Sequence, residues 1–337
     1  MKAAYMACGG WVASAVGAAA RFGLADLVKD GPKTPAELAA ATGASEQVLA
    51  QLLQLLVAVG LFAEADGRYR TTDDGAQLAD DHPDSVRHFA MLASGDYQRI
   101  FQEMAHTVRT GESAARLALG GTLYEHLDRS PEQAEVYDRA MEDLTRPASR
   151  VLALARDFSA VGTVVDIGGG RGALMRGLLR AVPGPRGIVF DRVDVADRAR
   201  AALPTVAPDL VGRLEFVGGS FFDGVPAGGD LYFLKNVLHS WNDQSAVAVL
   251  RSIGRQLSAR PDARLVVIEP LVGGRMPSMY RALDELMQMV VSESGTTART
   301  DDEFRALAAA ADLTVTRVDQ LQSGHAAIEM AARDAEG

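Results

Sequence analysis

The sequence predicts an α/β protein of two domains: an all-helical winged-helix half, whose wing is a hairpin, and a doubly wound sheet. Its 337 residues exceed what one core holds, since a domain averages roughly 150 residues. Helical patterns run as far as Phe158, and from Val161 onwards short β-branched runs alternate with helix-like segments. We therefore place the domains at 1–158 and 159–337.

The N-terminus predicts a packed helix. Residues 3–20 carry no charge, yet eight are Ala and three are Gly, which is less apolar than an export signal or a membrane span requires. Helical spacing continues through Val28, which supports a helix. We expect this helix to lie at a subunit interface. Secretion is the less favoured interpretation.

Residues 34–78 predict a helix, a turn, a second helix and a hairpin, which together form a winged helix. Thr34 caps the first helix, and Gly43 ends it. Ser45 caps the second helix, whose broad apolar face ends at Gly60. The dipeptide Asp66–Gly67 then predicts a tight hairpin turn.

The charge of this winged helix argues against DNA binding. Residues 29–81 hold four basic and nine acidic side chains, and the second helix, 45–60, contains no Lys or Arg. The whole chain has a net charge of −10, which also disfavours a nucleic-acid partner. We expect the wing to be a scaffold within a dimer.

The C-terminal half predicts a seven-stranded sheet. The last two strands are separated only by a loop, so they should form an antiparallel hairpin at the sheet edge. The expected strands are Val161 to Ile167, Gly187 to Phe190, Leu214 to Val217, Asp230 to Leu234, Leu265 to Ile268, Leu313 to Val318 and Ala326 to Met330.

A glycine-rich loop follows the first of these strands. Four of the five residues 168–172 are Gly, which lets the backbone approach a ligand closely. The loop also fits a dinucleotide fingerprint, with Asp191 after the next strand placed for a ribose hydroxyl. By itself it predicts a nucleoside-containing cofactor without deciding between nicotinamide and other chemistry.

Two downstream segments separate these alternatives. They read GGSFFDGVP at 218–226 and LYFLKNVLHSWND at 231–243. With the glycine loop they resemble the caffeate-type O-methyltransferases, which use S-adenosylmethionine. The resemblance covers nearly the whole chain, and bacterial members that act on antibiotics such as mitomycin look most similar. A nicotinamide oxidoreductase does not account for these two segments.

The resemblance implies a Rossmann-like class I methyltransferase domain behind a dimerisation domain, and S-adenosylmethionine as cofactor. Gly168 and Gly170 would lie near its amino-acid part and Asp191 on its ribose. The implied adenine contacts are Ser220, Phe221 and Lys235.

The resemblance also implies the catalytic residues. His239, just past a strand at its carboxyl end, would remove the acceptor's proton, and Glu269 would orient it. The acceptor pocket would lie between the domains, and Trp241, Met141 and Met287 are candidate lining residues. We expect a homodimer, a small aromatic substrate that carries a hydroxyl group, and no metal, because the carboxylates form no oxygen-ligand cluster.

Three positions depart from the family pattern. Ser220 and Ser240 stand where an Asp is usual, and Ala298 stands where a second acid beside the histidine is usual. Two outcomes are left open: His239 relies on Glu269 alone, or Glu293 or Asp284 compensates from a neighbouring segment. The loss at Ala298 leaves open an alternative, a member that keeps the cofactor but catalyses hydroxylation, decarboxylation or a pericyclic reaction.

The single cysteine, Cys8, excludes a disulfide within the chain. A reducing compartment is therefore expected, and we predict a cytoplasmic protein with no membrane partner.

Overall fold

The computed structural model describes residues 2–155, 158–273, 278–321 and 324–333. These residues form two compact units. The first comprises Met1–Gln102 and Leu127–Leu144, and the second Glu103–His126 and Thr145–Gly337. The domain boundary near Phe158 stays a prediction, because compactness by itself does not test independent folding.

The helices of the described residues are numbered in chain order. They are α1 (Lys2–Ala7), α2 (Gly9–Arg21), α3 (Leu24–Leu27), α4 (Pro35–Thr42), α5 (Glu46–Ala58), α6 (Asp73–Ala76), α7 (Arg87–Ala93), α8 (Asp96–Gln102), α9 (Met104–Thr110), α10 (Ala115–Leu119), α11 (Leu123–Arg129), α12 (Pro131–Ala155), α13 (Ala173–Ala181), α14 (Val193–Val206), α15 (Asp243–Ala259), α16 (Ser278–Val291) and α17 (Asp301–Ala310). Two short 3₁₀ helices span Pro208–Leu210 and Leu238–Ser240.

The N-terminal segment is not the continuous helix that its spacing predicts. It breaks at Cys8, between α1 and α2, and again at Gly23, which adopts a left-handed φ of 61° before α3. Glycine reaches that conformation without steric cost, so the chain turns there and buries Leu24 completely. Apolar spacing indicates which residues are buried, but it does not indicate where the chain turns.

The winged helix forms as predicted, with one difference. A reciprocal capping box joins Thr34 and Glu37 at the start of α4, and Gly43 ends the helix in the left-handed region. Ser45 precedes α5, but its side chain accepts no capping hydrogen bond. The wing pairs β1 (Phe62–Ala65) with β2 (Arg68–Thr71) through a turn in which Asp66 and Gly67 both have positive φ.

The second unit contains the seven-stranded sheet, in the order β5-β4-β3-β6-β7-β9-β8. Strands β3 to β7 are parallel, and β8 and β9 form the expected antiparallel hairpin at one edge. The strands are β3 (Thr163–Ile167), β4 (Arg186–Asp191), β5 (Leu214–Gly218), β6 (Leu231–Lys235), β7 (Arg264–Pro270), β8 (Leu313–Gln320) and β9 (His325–Ala332).

The central strands are buried on both faces. In β6 all five residues are buried: Tyr232 and Leu234 join the core formed with α15 and α17, whereas Leu231 and Phe233 join the core formed with α13 and α14. This doubly covered arrangement confirms the predicted fold class and explains why these strands read as continuous apolar runs.

None of the helices among the described residues is long and apolar enough to cross a membrane.

Candidate active site

The predicted site residues of the second unit gather at one edge of the sheet. Strands β3 to β7 run parallel, so their carboxyl ends meet there, and ligands of open α/β sheets bind at that edge. The residues that follow or end these strands are Gly168 and Gly170 after β3, Asp191 in β4, Ser220 and Phe221 after β5, Lys235 in β6, His239 after β6, and Glu269 in β7.

The glycine loop packs tightly against the protein at Gly168 but leaves open space at Gly170. Gly168 and Gly170 have φ values of 70° and 55°, and the Gly168 N–H donates to the Phe190 carbonyl at 2.7 Å. A Cβ atom on Gly168 would lie 2.8 Å from Val237 Cγ2, so only glycine fits there. A Cβ atom on Gly170 would meet nothing within 4 Å, which leaves room for a ligand against the backbone.

Asp191 links this loop to the next strand. Its Oδ2 accepts the Gly170 N–H at 2.7 Å, and its Oδ1 accepts the Arg192 N–H at 2.7 Å. Burial raises the pKa of Asp191, and these two backbone hydrogen bonds offset part of that shift. Each oxygen keeps a lone pair that can accept a hydroxyl proton, as the ribose assignment requires.

Lys235 is buried and interacts electrostatically with two buried acids, Glu269 and Asp166. Burial lowers its pKa to about 8, and Glu269 and Asp166 oppose that shift. Its Nζ also lies 3.4 Å from Thr145 Oγ1. The predicted contact of Lys235 with adenine is not tested by this placement and stays a prediction.

Asp166 is a further candidate site residue, to which the sequence analysis assigned no role. Burial raises its pKa to about 7, and its Oδ2 accepts no hydrogen bond from the described residues. A buried carboxylate oxygen without a donor is costly, so a ligand that donates a proton there would be favoured. The sequence does contain a signal, because Asp166 lies two residues before Gly168, the first residue of the glycine loop.

An aromatic cluster covers the β5 side of the site. Trp241 packs edge-to-face on Phe221 and Phe222, with ring centroids 5.7 and 5.1 Å away, and stacks on Tyr124 at 6.0 Å. Trp241 therefore groups with Phe221, the predicted adenine contact. Ser220 is exposed, and its carbonyl accepts the N–H groups of the turn that follows.

His239 and Glu269 approach each other closely. His239 Nδ1 lies 3.3 Å from Glu269 Oε2, an oxygen that accepts no hydrogen bond from the described residues. Glu269 is fully buried, which raises its pKa to about 7. Its other oxygen, Oε1, accepts the N–H groups of Val237 and Leu238 at 2.8 and 2.9 Å. Glu269 thus fixes the start of the 3₁₀ turn that carries His239.

The imidazole of His239 is largely buried, and burial lowers its pKa to about 4. Gln288 Nε2 lies 3.5 Å from Nδ1 and 3.4 Å from Nε2 of His239, so this amide packs against the ring and not on the lone-pair axis of either nitrogen. Gln288 itself is held by the Ser292 hydroxyl at 2.7 Å. The sequence analysis missed Gln288, since a glutamine within a helix gives no distinctive signal.

A recess opens beside His239. Its polar lining includes Asp284 and Arg281 from α16, and Ala298 also faces it. Of the two acids that could compensate for Ala298, Asp284 is the one at this recess, and its charge raises the pKa of His239 against the larger effect of burial. Glu293 instead accepts the Asn242 N–H at 2.8 Å and the Ser245 hydroxyl at 3.0 Å, at the start of α15.

The other two predicted substrate residues, Met287 and Met141, do not line the recess beside His239. Met287 is half-buried on α16 next to Gln288 and does not line the recess. Met141 is half-buried on α12 and belongs to the first compact unit.

The sheet order, the glycine loop and the acid at the end of the second strand define a class I methyltransferase. Comparison with known families then identifies the branch: residues 101–313 match the O-methyltransferase domain family, and residues 5–80 match the O-methyltransferase dimerisation domain. The chain belongs to this O-methyltransferase family, as its motifs predicted.

Individual relatives agree over most of the chain. The mitomycin biosynthesis 6-O-methyltransferase of Streptomyces lavendulae is 36% identical, over 92% of this chain and 87% of the relative. The phenazine O-methyltransferase PhzM of Lysobacter antibioticus is 37% identical, over 96% and 94%. The O-methyltransferase NcsB1 of neocarzinostatin biosynthesis, crystallised with S-adenosylmethionine and 2-hydroxy-5-methyl naphthoic acid, superposes with a TM-score of 0.78 at 35% identity, over 95% of both chains.

These findings confirm three predictions: the family, the enzyme class and the cofactor. The chain is an S-adenosylmethionine-dependent O-methyltransferase. The open space at Gly170 leaves room for this cofactor against the backbone. Asp166 Oδ2, which accepts no hydrogen bond from the described residues, could accept one from the ammonium group of the cofactor.

Proposed function

We propose that this enzyme methylates a hydroxyl of a small aromatic natural-product intermediate, with His239 as the general base and Glu269 as its orienting partner. The observation that carries the proposal is the 3.3 Å approach of His239 Nδ1 to Glu269 Oε2 at the carboxyl edge of the sheet. The relatives named above support the acceptor class, because their names refer to mitomycin, phenazine and naphthoate compounds.

The protonation state of His239 suits a base. A pKa of about 4 leaves the imidazole neutral at pH 7, with one nitrogen able to accept a proton. Glu269 Oε2 is a buried acceptor that faces Nδ1, so the tautomer with the proton on Nδ1 is favoured. Nε2 is then the nitrogen that accepts the proton of the substrate hydroxyl.

The chemistry requires alignment as well as a base. Bound S-adenosylmethionine supplies an electrophilic sulfonium methyl group. His239 takes the hydroxyl proton as the acceptor oxygen gains nucleophilicity, and Glu269 stabilises the imidazolium that forms. The packing of Gln288 against the imidazole restricts rotation of the ring.

The remaining site assignments are part of the same proposal. Backbone atoms of Gly168 and Gly170 would contact the amino-acid portion of the cofactor, and the Asp191 carboxylate would accept the ribose hydroxyl protons. Phe221 would pack on adenine, with Ser220 and Lys235 near its edge. The proposed substrate contacts are Trp241, Met141 and Met287.

We also propose a homodimer formed through the N-terminal domain. Its support is the match of residues 5–80 to a dimerisation domain, together with the exposure of Tyr5, Met6 and Trp11. The acidic balance of the wing favours this role over nucleic-acid binding. A cytoplasmic location without a membrane partner completes the proposal, on the single-cysteine argument.

The test is incubation with methyl-labelled S-adenosylmethionine and a panel of phenols, naphthols and hydroxyphenazines, in parallel for wild type and His239→Ala. We expect label in an ether product of the wild type and loss of transfer in the variant, while calorimetry shows cofactor binding to both. If the cofactor binds but an unlabelled, chemically altered product accumulates, the non-methylating alternative is correct. If His239→Ala transfers methyl at the wild-type rate, the assignment of the base is wrong.

A further inference from the structure

Arg299 is an almost fully buried arginine that has no role in the proposal above. It lies in the segment before α17 and is 2% exposed. A buried guanidinium group needs acceptors to compensate for its lost hydration. The acceptors that it uses all belong to the stretch of chain that contains His239.

Three nitrogens of Arg299 make directed contacts. Nη1 donates to the Leu238 carbonyl at 2.8 Å, and Nη2 donates to the Trp241 carbonyl at 2.7 Å. Nε donates to Asp243 Oδ1 at 3.0 Å. Asp243 is 71% exposed, so the ion pair is screened by water, whereas the two carbonyl contacts are at the buried end of the group.

These contacts complete a clamp on the turn 237–241. Glu269 Oε1 accepts the N–H groups of Val237 and Leu238, and Arg299 donates to the carbonyl groups of Leu238 and Trp241. A carboxylate at the N–H groups and a guanidinium group at the carbonyl groups also complement the peptide dipoles of the turn. His239 lies between the two anchors, so its backbone position is fixed from both sides.

We propose that Arg299 is a positioning residue for methyl transfer, which holds the turn 237–241 so that His239 faces both Glu269 and the recess. The inference rests on the proposed role of His239. Methyl transfer depends on alignment of the base with the acceptor hydroxyl, and a displacement of about 1 Å can cost about 100-fold in rate.

Lysine cannot reproduce this clamp. The guanidinium group reaches two carbonyls and a carboxylate with three different nitrogens in a rigid plane, whereas an ammonium group donates from a single point. The Arg299 charge has a second consequence, since it contributes to lowering the pKa of His239, after burial and the charge of Lys235.

The experiment compares Arg299→Gln and Arg299→Lys with Arg251→Gln. Arg251 is an exposed arginine on α15 that donates to the Ala310 carbonyl at 2.8 Å, which makes it a matched control. We expect Arg299→Gln to lower kcat about 100-fold, with KM and the cofactor Kd changed by less than about threefold. The acid limb of its pH–rate profile should move to higher pH, because a cation near the imidazole is removed. Arg299→Lys should restore the limb but only part of kcat, and Arg251→Gln should behave as wild type.

A double-mutant cycle separates the inference from the proposed function. If Arg299 acts through His239, then Arg299→Gln causes no further loss in a His239→Ala background. An additive loss, or a normal kcat and pH profile in Arg299→Gln, would overturn the inference. So would a loss of kcat that only parallels a loss of thermal stability and of cofactor binding. If His239→Ala itself stays active, the proposed function fails first, and the cycle reports that failure separately.

Discussion

Glu269 contacts His239 through both of its carboxylate oxygens: Oε2 lies 3.3 Å from the ring nitrogen Nδ1, and Oε1 lies 3.4 Å from the backbone nitrogen. One carboxylate therefore contacts both the backbone and the imidazole of the proposed base. Because each oxygen has its own contact, replacing one oxygen of Glu269 with an NH₂ group can alter the tautomer of His239 while the backbone contact is kept.

Replacing Glu269 with Gln should lower kcat about 100-fold or more while the cofactor still binds. The amide oxygen can keep the Oε1 contacts with the backbone, which then directs the NH₂ group at Nδ1. That donor favours the tautomer with the proton on Nε2, which cannot act as a base. Steady-state kinetics and calorimetry measure the two effects. Glu293→Gln, at a carboxylate that caps α15, is the control and should leave kcat near wild type. Unchanged transfer in Glu269→Gln would contradict the base assignment.

Asp284→Asn should move the acid limb of the pH–rate profile to lower pH. The Asp284 charge opposes the lowering of the His239 pKa by burial, so its removal lets that pKa fall further. A weaker base should also reduce kcat several-fold. The shift is opposite in sign to that expected for Arg299→Gln, and the same buffers can measure both. A limb that does not move would show that Asp284 does not act on His239.

Substitutions in the glycine loop should distinguish steric overlap within the protein from steric overlap with the cofactor. Gly168→Ala places a Cβ atom 2.8 Å from Val237, so we expect it to lower both thermal stability and cofactor affinity. Gly170→Ala meets no protein atom and should cost only about 1 kcal/mol in stability, from its positive φ. Its cofactor affinity should nevertheless fall at least about tenfold, about 1.4 kcal/mol, if the open space is the binding space. Gly184→Ala, with no neighbour within 4 Å and no positive φ, is the control. Normal affinity in Gly170→Ala would place the cofactor elsewhere.

Asp166→Asn should change how stability depends on pH. Burial raises the pKa of Asp166 from 3.8 to about 7, so the folded state binds more protons than the unfolded state between those values. The stability that this group contributes is therefore present below pH 3.8 and is lost as the pH rises through 7. The variant lacks this loss, and relative to wild type its free energy of unfolding should gain about 2 to 3 kcal/mol between pH 5 and pH 8. Thermal unfolding at the two pH values tests this, with the exposed Asp197→Asn as the control. An equal effect at both values would show that Asp166 is ionised throughout.

Trp11→Glu should shift the protein from dimer to monomer in light scattering. Trp11 is 73% exposed within the segment that matches the dimerisation domain, and a charge there would be desolvated by a partner subunit. Val108→Glu, at a residue that is 75% exposed outside that segment, should leave the dimer intact. A dimer that tolerates Trp11→Glu but not Val108→Glu would place the interface elsewhere.

Local patterns determined much of this protein. The capping residue Thr34, the Asp66–Gly67 turn and the β-branched strands are specified by neighbours a few residues away, and the structure forms them as predicted. The break at Cys8 was not predicted, because apolar spacing records which side of a helix is buried and not where the chain changes direction. The edge of the sheet that carries the site followed from the alternation of strands and helices, since ligands of open α/β sheets bind at the carboxyl ends of the strands.

The sequence by itself determined the fold class and the glycine loop. It also showed that His239 follows one strand and that Glu269 lies near the end of the next. Only the tertiary structure decided that Asp284, and not Glu293, lies at the recess with His239. It also decided that Gln288 packs against the His239 ring and that Arg299 donates to the Leu238 carbonyl. The physical reason is distance along the chain. Arg299 and Leu238 are 61 residues apart, so their contact depends on how α16 and the following segment return to the sheet. Periodicity and capping depend on residues that are near one another in the chain, so they do not predict such long-range packing.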